Sequence, residues 1–222
     1  MIRAVFGIFA LGGVLCYIGY TEHKLSKNTS ETPVPTNLVQ LEYGVDPPNN
    51  HIEIGEHVAV YDALVYCIRQ GKYEHGEPGP NKPVEYTYYP VISMSHPFVK
   101  SMKDLGDKDY DQLTPEEQDQ LTLKDFKVIV RTCRFDTVGD LPESFATEEK
   151  VTGMIVNEIS SLGYQERNLI TETFPGLDTD KLLILQENRK PSSASFSSGM
   201  MLGGGFLMVI GGVLLFTSCK FG

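Results

Sequence analysis

The chain has 222 residues and a net charge of −10, with 29 acidic against 19 basic side chains. All the acids and 17 of the bases fall within residues 21–198, so this central part stands at −12. That balance excludes a basic nucleic-acid surface and argues against a polybasic lipid-gripping face, and the length suits one core of ordinary size.

Residues 1–20, MIRAVFGIFALGGVLCYIGY, start with a base and continue as an apolar run. The run is longer than a secretory h-region and no A-x-A-like site follows it. The expectation is an uncleaved transmembrane signal anchor, with a cleaved signal peptide as the alternative. Gly7, Gly12, Gly13 and Gly19 would bare backbone for close helix contact. Residues 21–37 read as a polar linker, stiffened by Pro33 and Pro35. The linker contains a sequon at Asn28, a pattern common by chance.

An acidic α+β domain is expected over residues 38–190. Residues 38–41 suggest a short strand, followed by a Pro/Asn turn. Residues 51–54 alternate polar with apolar; Gly55 and Glu56 interrupt; residues 57–69 resume with β-branched and aromatic side chains. After a Gly/Pro-rich loop, residues 84–94 return to strand composition, and the whole reads as a β-meander. Pro90 favours an edge or a bulge. Thr114, Pro115, Glu116 and Glu117 carry the signature of a helix start. Residues 127–135 form the clearest strand; residues 136–149 read as loop; residues 151–159 are a strand. Ser161 is the expected cap of a helix reaching Phe174, and residues 180–186 are the last strand.

Strands outnumber helices, and the helices come late and short. That order favours a β-rich α+β domain, small and barrel-like or a meander, over a doubly wound sheet. A Ser-rich tether over residues 191–198 leads to residues 199–217, GMMLGGGFLMVIGGVLLFT, and a tail over 218–222. A hydrocarbon core of roughly 30 Å needs about 20 apolar residues at about 1.5 Å each, so this run suits a second crossing. Six of its nineteen residues are glycine. Gly199 and Gly203 form a G-x-x-x-G, while Gly204 with Gly211 and Gly205 with Gly212 are seven apart. These glycines are read as a helix-packing stripe, against either the first span or a second copy.

Candidate chemistry is sparse. His51, Glu53 and His57 would share a strand face if the strand ran unbroken, with Glu56 nearby. Such a set can hold zinc, yet it lacks the H-E-x-x-H spacing, and a solvated polar face is the simpler reading. Ser93, Ser95 and His96 are adjacent in sequence without a nucleophile elbow. Cys16 and Cys219 belong to the apolar ends. Cys67 and Cys133 lie in strands and read as small buried residues, with a disulfide between them as the alternative. Tyr61, Tyr66, Tyr86, Tyr88 and Tyr89 form an aromatic-rich patch that suits sheet packing or a ligand groove. No phosphate cradle or dinucleotide fingerprint is present, and no cofactor is expected.

The succession of anchor, β-rich domain and anchor resembles uncharacterised bacterial two-pass membrane proteins. LEYGVDPPNNHIEIGEHVAVY at 41–61 and VRTCRFDTVGDLPESF at 130–145 are similar in style to theirs. The architecture also resembles the membrane-proximal domain of the GIDE-type ubiquitin ligases, without the RING that carries ligase chemistry. Neither resemblance transfers a functional residue.

The expectation is a non-enzymatic two-pass protein whose domain docks another membrane protein as scaffold or assembly factor. The partners are then the lipid bilayer and a second membrane protein, or self-association through the Gly-rich helix, with no nucleic acid. The alternative is a membrane-tethered hydrolase or metal-dependent enzyme using His51, Glu53 and His57. Arg3 and Lys220 mark one flank and Lys24, Lys27, Arg189 and Lys190 the other, so charge barely sets orientation. The short segment before the first run leans towards an extracytoplasmic domain.

Overall fold

The structure is a computed structural model describing residues 2–27, 29–68, 78–105, 114, 123, 125–157, 162–174 and 176–220. The helix expected after Thr114, the sequon at Asn28 and the cap at Ser161 lie outside the described residues. The chain divides into two units, Thr32–Arg189 and the paired ends Met1–Glu31 with Lys190–Gly222.

In the larger unit the strands are β1 (Val34–Thr36), β2 (His51–Ile54), β3 (His57–Val60), β4 (Val65–Ile68), β5 (Val84–Ile92), β6 (Val128–Thr132), β7 (Phe145–Glu148), β8 (Val151–Ile155) and β9 (Leu183–Glu187). They form one sheet in the order β1-β2-β8-β9-β6-β5-β3-β7, with β4 added to β5. The β1–β2 and β6–β9 pairs are parallel and the rest antiparallel. This is the expected α+β class, realised as a curled half-barrel.

The curl follows from one link. β2 and β3 stand five strand spacings apart in that order, which would be about 24 Å in a flat sheet. Only Gly55 and Glu56 join them, and three extended steps reach about 10 Å. The sheet must therefore bend back on itself. The expected meander is corrected on the same ground: β2 pairs with β1 and β8, not with β3.

Pro90 finds its place by a similar argument. On one side β5 pairs with β4 up to Tyr88 and with β3 from Val91, so Pro90 falls in the gap between partners. A residue without an N–H suits a position where one side of the ladder changes hands. Gly153 in β8 has an equally local reason, because a Cβ there would collide with the carbonyl oxygen of Gln186 on β9.

Residues 38–41, read as a strand, form helix α2 (Leu38–Glu42) instead. Asn37 caps it by accepting from Val39 N at 2.9 Å, and Leu38 and Leu41, three apart, both bury. They close the core made by Ile52, Ile54, Ala59, Tyr89, Val91, Val128, Val130, Val151 and Leu185. Helix α3 (Pro97–Leu105) starts at a proline in its first position, a signal passed over in the sequence; His96 Nδ1 accepts from Phe98 N at 3.2 Å. The expected loop over 136–149 contains β7, and α4 (Tyr164–Thr173) starts after Gly163.

In the smaller unit α1 (Ile2–Ser26) and α5 (Ala194–Lys220) run antiparallel, and both are long and apolar enough to cross a membrane. A Cβ at Gly12 would lie 2.7 Å from Gly204 O, and one at Gly204 2.6 Å from Gly12 O. Gly19 faces Ser197 and Met201 in the same way, and Gly211 faces Phe9. Gly199, Gly203 and Gly212 have nothing within 4 Å of that position. Cys16 Sγ donates to Met201 O at 3.4 Å, so Cys16 and a Met201→Cys side chain should crosslink on oxidation. Gly204→Leu is expected to abolish most of that crosslink and Gly203→Leu to leave it; equal yields would show that the glycines do not set the helix contact.

Candidate functional site

The half-barrel interior holds a polar cluster drawn from five strands or their ends. The β3–β7 register sets His57 opposite Glu148. Tyr61 follows β3, Tyr89 stands on β5, Arg134 lies just past β6 and Glu187 ends β9. Arg134 is the hub. Its Nη2 donates to Glu148 Oε1 at 2.7 Å, and its Nη1 lies 3.8 Å from Glu187 Oε1. The guanidinium carbon sits 5.3 Å from the Tyr61 ring centre, 5.4 Å from Tyr89 and 4.9 Å from Phe135. Tyr61 and Tyr89 pack with ring centres 4.8 Å apart, and the Tyr61 hydroxyl donates to Glu148.

His57 is fully buried. Its Nδ1 lies 2.8 Å from Gly55 O, which can only accept, so Nδ1 carries the proton. Nε2 then faces Glu148 Oε2 at 3.6 Å without a hydrogen bond. The Tyr89 hydroxyl and Glu187 Oε2 are likewise buried without a partner among the described residues. Burial first, then the nearby Glu187 and Glu148 carboxylates, push the Tyr89 hydroxyl well above the usual tyrosine range. The cluster clamps β7, β6 and β9 together through one cation between two carboxylates.

The opposite face of β5 carries a second arrangement. Tyr86 and Tyr88 alternate away from Tyr89, and they meet edge to face with ring centres 5.6 Å apart. Tyr86 OH donates to Glu166 Oε1 on α4 at 2.6 Å, which raises its pKa, with burial adding to the rise. The Arg131 guanidinium stacks on the Tyr86 ring at 4.3 Å. Between β4, β5 and α4 opens a cavity of about 330 Å3 lined by Val65, Cys67, Tyr86, Tyr88, Glu166 and Leu169, with Tyr164 at its rim. Tyr164 is 81% and Leu169 46% exposed. Compared with protein-family models, curated proteins and solved structures, the chain matches none. Its chemistry has to be read from this geometry.

The structure does not bring His51, Glu53 and His57 together. His51 is buried on β2 opposite Met154. Glu53 lies 3.4 Å from Lys150 and accepts from Thr152 at 3.3 Å. His57 turns into the interior, because the break at Gly55 and Glu56 carries the chain to the other end of the sheet. Among the described residues no three His, Cys, Asp or Glu side chains form a metal-ligand set.

Ser93 gives both its N–H and hydroxyl to Glu42, each at 2.7 Å, while His96 Nε2 donates to Asp125 O at 2.8 Å. The two do not pair. Cys67 and Cys133 are free thiols, Cys67 half-buried and Cys133 exposed just past β6, which corrects both the buried reading and the disulfide alternative. β5 runs between them, and two ladder spacings, about 10 Å, exceed the reach of a disulfide.

Sequence reasoning missed Arg134, Glu148 and Glu187, which meet only through non-local pairing. It did single out the five tyrosines. The signal it left unused was their alternation, which sends Tyr89 inside and Tyr86 and Tyr88 outside.

Proposed function

We propose that the protein is a two-pass membrane protein whose acidic domain docks another membrane protein. In this reading α1 and α5 each cross the bilayer, and the half-barrel is an interaction module held at its surface. One observation carries the docking: Tyr164 and Leu169 stand exposed at the rim of a tyrosine-lined cavity, beside a strand, β4, that pairs through β5 alone among the described residues. Exposed aromatic and aliphatic side chains around a pocket are what protein interfaces use as anchors. The charge of −12 would set the partner's contacting surface to neutral or basic, because two acidic surfaces repel.

The test uses the full chain in its native membrane, with a photo-reactive side chain at Tyr164 or, as control, at the exposed Glu149. A single discrete adduct from Tyr164 alone, lost when Leu169→Asp is added, is the expected result. A chain that gives no adduct and purifies alone in mild detergent would rule out docking at this surface.

A further inference from the structure

A cleft of about 520 Å3 opens within the helical unit, where α1 ends and α5 begins. His23, Lys27 and Lys190 supply basic groups to its wall, Ser26, Thr29 and Ser193 supply hydroxyls, and Glu31 is its only acid among the described residues. The wall is held by hydrogen bonds of its own. Ser192 N donates to Ser26 Oγ at 3.0 Å, and Ser192 Oγ donates to Glu22 Oε2 at 2.6 Å, so the segment leading into α5 is clasped to the end of α1. Thr29 Oγ1 donates to Leu25 O at 2.8 Å, and the fully buried Ser197 donates to Ala194 O at 3.2 Å.

Neither lysine forms an ion pair among the described residues. The two lysines share the wall with Glu31, and the other nearby carboxylate, Glu22, is engaged by Ser192, so the cleft presents basic groups in a chain whose central part is acidic. This is not a polybasic face; it is a pair of charges brought to one concavity. The stretches apolar enough to cross a membrane, Val5–Ser26 and Ala194–Thr217, end at this cleft. In a bilayer it would therefore lie at the depth of lipid headgroups.

We infer that this cleft binds a phosphate group, as carried by an anionic phospholipid headgroup. Lys27 and Lys190 would bracket the phosphate, and the Ser26 and Ser193 hydroxyls, which accept from Ser192 N and Phe196 N, would donate to its oxygens. The lipid source rests on the reading that α1 and α5 cross a bilayer; the phosphate site does not.

The full chain is reconstituted in phosphatidylcholine vesicles doped with phosphatidylglycerol, extracted in neutral detergent, and its retained lipids are weighed by mass spectrometry. Phosphatidylglycerol should be enriched over phosphatidylcholine. Lys27→Ala and Lys190→Ala should each cut the enrichment about fivefold. Lys24→Ala, on the same helix end but outside the cleft wall, should not change it. A second arm titrates soluble glycerol phosphate into the detergent-solubilised chain. Binding there with the same lysine dependence keeps the site and makes its ligand a soluble phosphate ester. Equal retention of both lipids with no soluble binding overturns the proposal, as does an equal loss with Lys24→Ala. A chain that fails to float with vesicles sinks the membrane reading alone, because the soluble arm still decides the site.

Discussion

Arg134→Met is expected to destabilise the domain by about 2 kcal/mol, between the scale of an exposed ion pair and that of breaking one partner out of a buried one. The value is intermediate because the Arg134 side chain keeps 32% of its surface exposed while Glu148 and Glu187 keep 19% and 12%. Methionine keeps most of the packing against Tyr61, Tyr89 and Phe135 but removes the cation between two mostly buried carboxylates. Glu148 then keeps only the Tyr61 hydroxyl and Glu187 loses its cation, while Glu187 Oε2 is already without a partner among the described residues. Adding Glu148→Gln and Glu187→Gln should restore more than half of the loss, because the unpaired charges leave with the cation. The chain has no tryptophan, so tyrosine fluorescence reports the transition directly. A single variant whose unfolding free energy in urea, at unchanged m, falls by less than about 1 kcal/mol would show that the cluster does not clamp the strands.

How far such a cluster can be read beforehand depends on which contacts are local. Strand character over residues 51–54, 57–60 and 128–132 is written in alternating and β-branched residues, and the structure keeps those strands. The helix over 38–42 is not, because four residues of Leu, Val and Gln suit either state and the deciding cap, Asn37, lies outside the run. Topology was hidden for a different reason. Gly55 and Glu56 are visible as a break, but no local property says that the break joins opposite ends of a curled sheet.

The same distinction separates the two sets of candidate residues. His57 lies close to His51 and Glu53 in sequence, while its neighbour in the fold is Glu148, brought by strand pairing. The helix contacts were more legible, since a seven-residue step puts glycines on one stripe of a helix. Gly12 and Gly19 share that step with Gly204 and Gly211. The period alone could not choose between the 204/211 stripe and the 205/212 stripe. Only the first has α1 against it.

The tyrosines of β5 make alkaline pH the sharpest probe of this fold. Burial raises the Tyr88 and Tyr89 hydroxyls above the usual value of about 10, and the Tyr86 hydroxyl is raised by its bond to Glu166. Below pH about 10 these groups are protonated in both folded and unfolded chain and contribute no pH dependence. Above it the unfolded chain releases protons that the folded chain retains, so stability falls as pH rises. Each fully retained proton lowers stability by about 1.4 kcal/mol per pH unit, so Tyr89 alone gives a slope of about that size and Tyr88 and Tyr86 add to it in the same direction. A domain of about 5 kcal/mol would then unfold within about three pH units of the onset. Tyrosinate absorbance should therefore rise in a cooperative step that coincides with loss of the β circular dichroism signal. Tyr89→Phe separates the causes. The Tyr89 hydroxyl is buried without a partner among the described residues, so removing it should leave neutral-pH stability unchanged or raise it by about 1 kcal/mol, and it should move the alkaline midpoint upward. A gradual rise in absorbance with the fold intact, or a Tyr89→Phe variant weaker by more than about 1 kcal/mol at pH 7, would mean that the interior hydroxyl is solvated or bonded and the half-barrel is not closed around it.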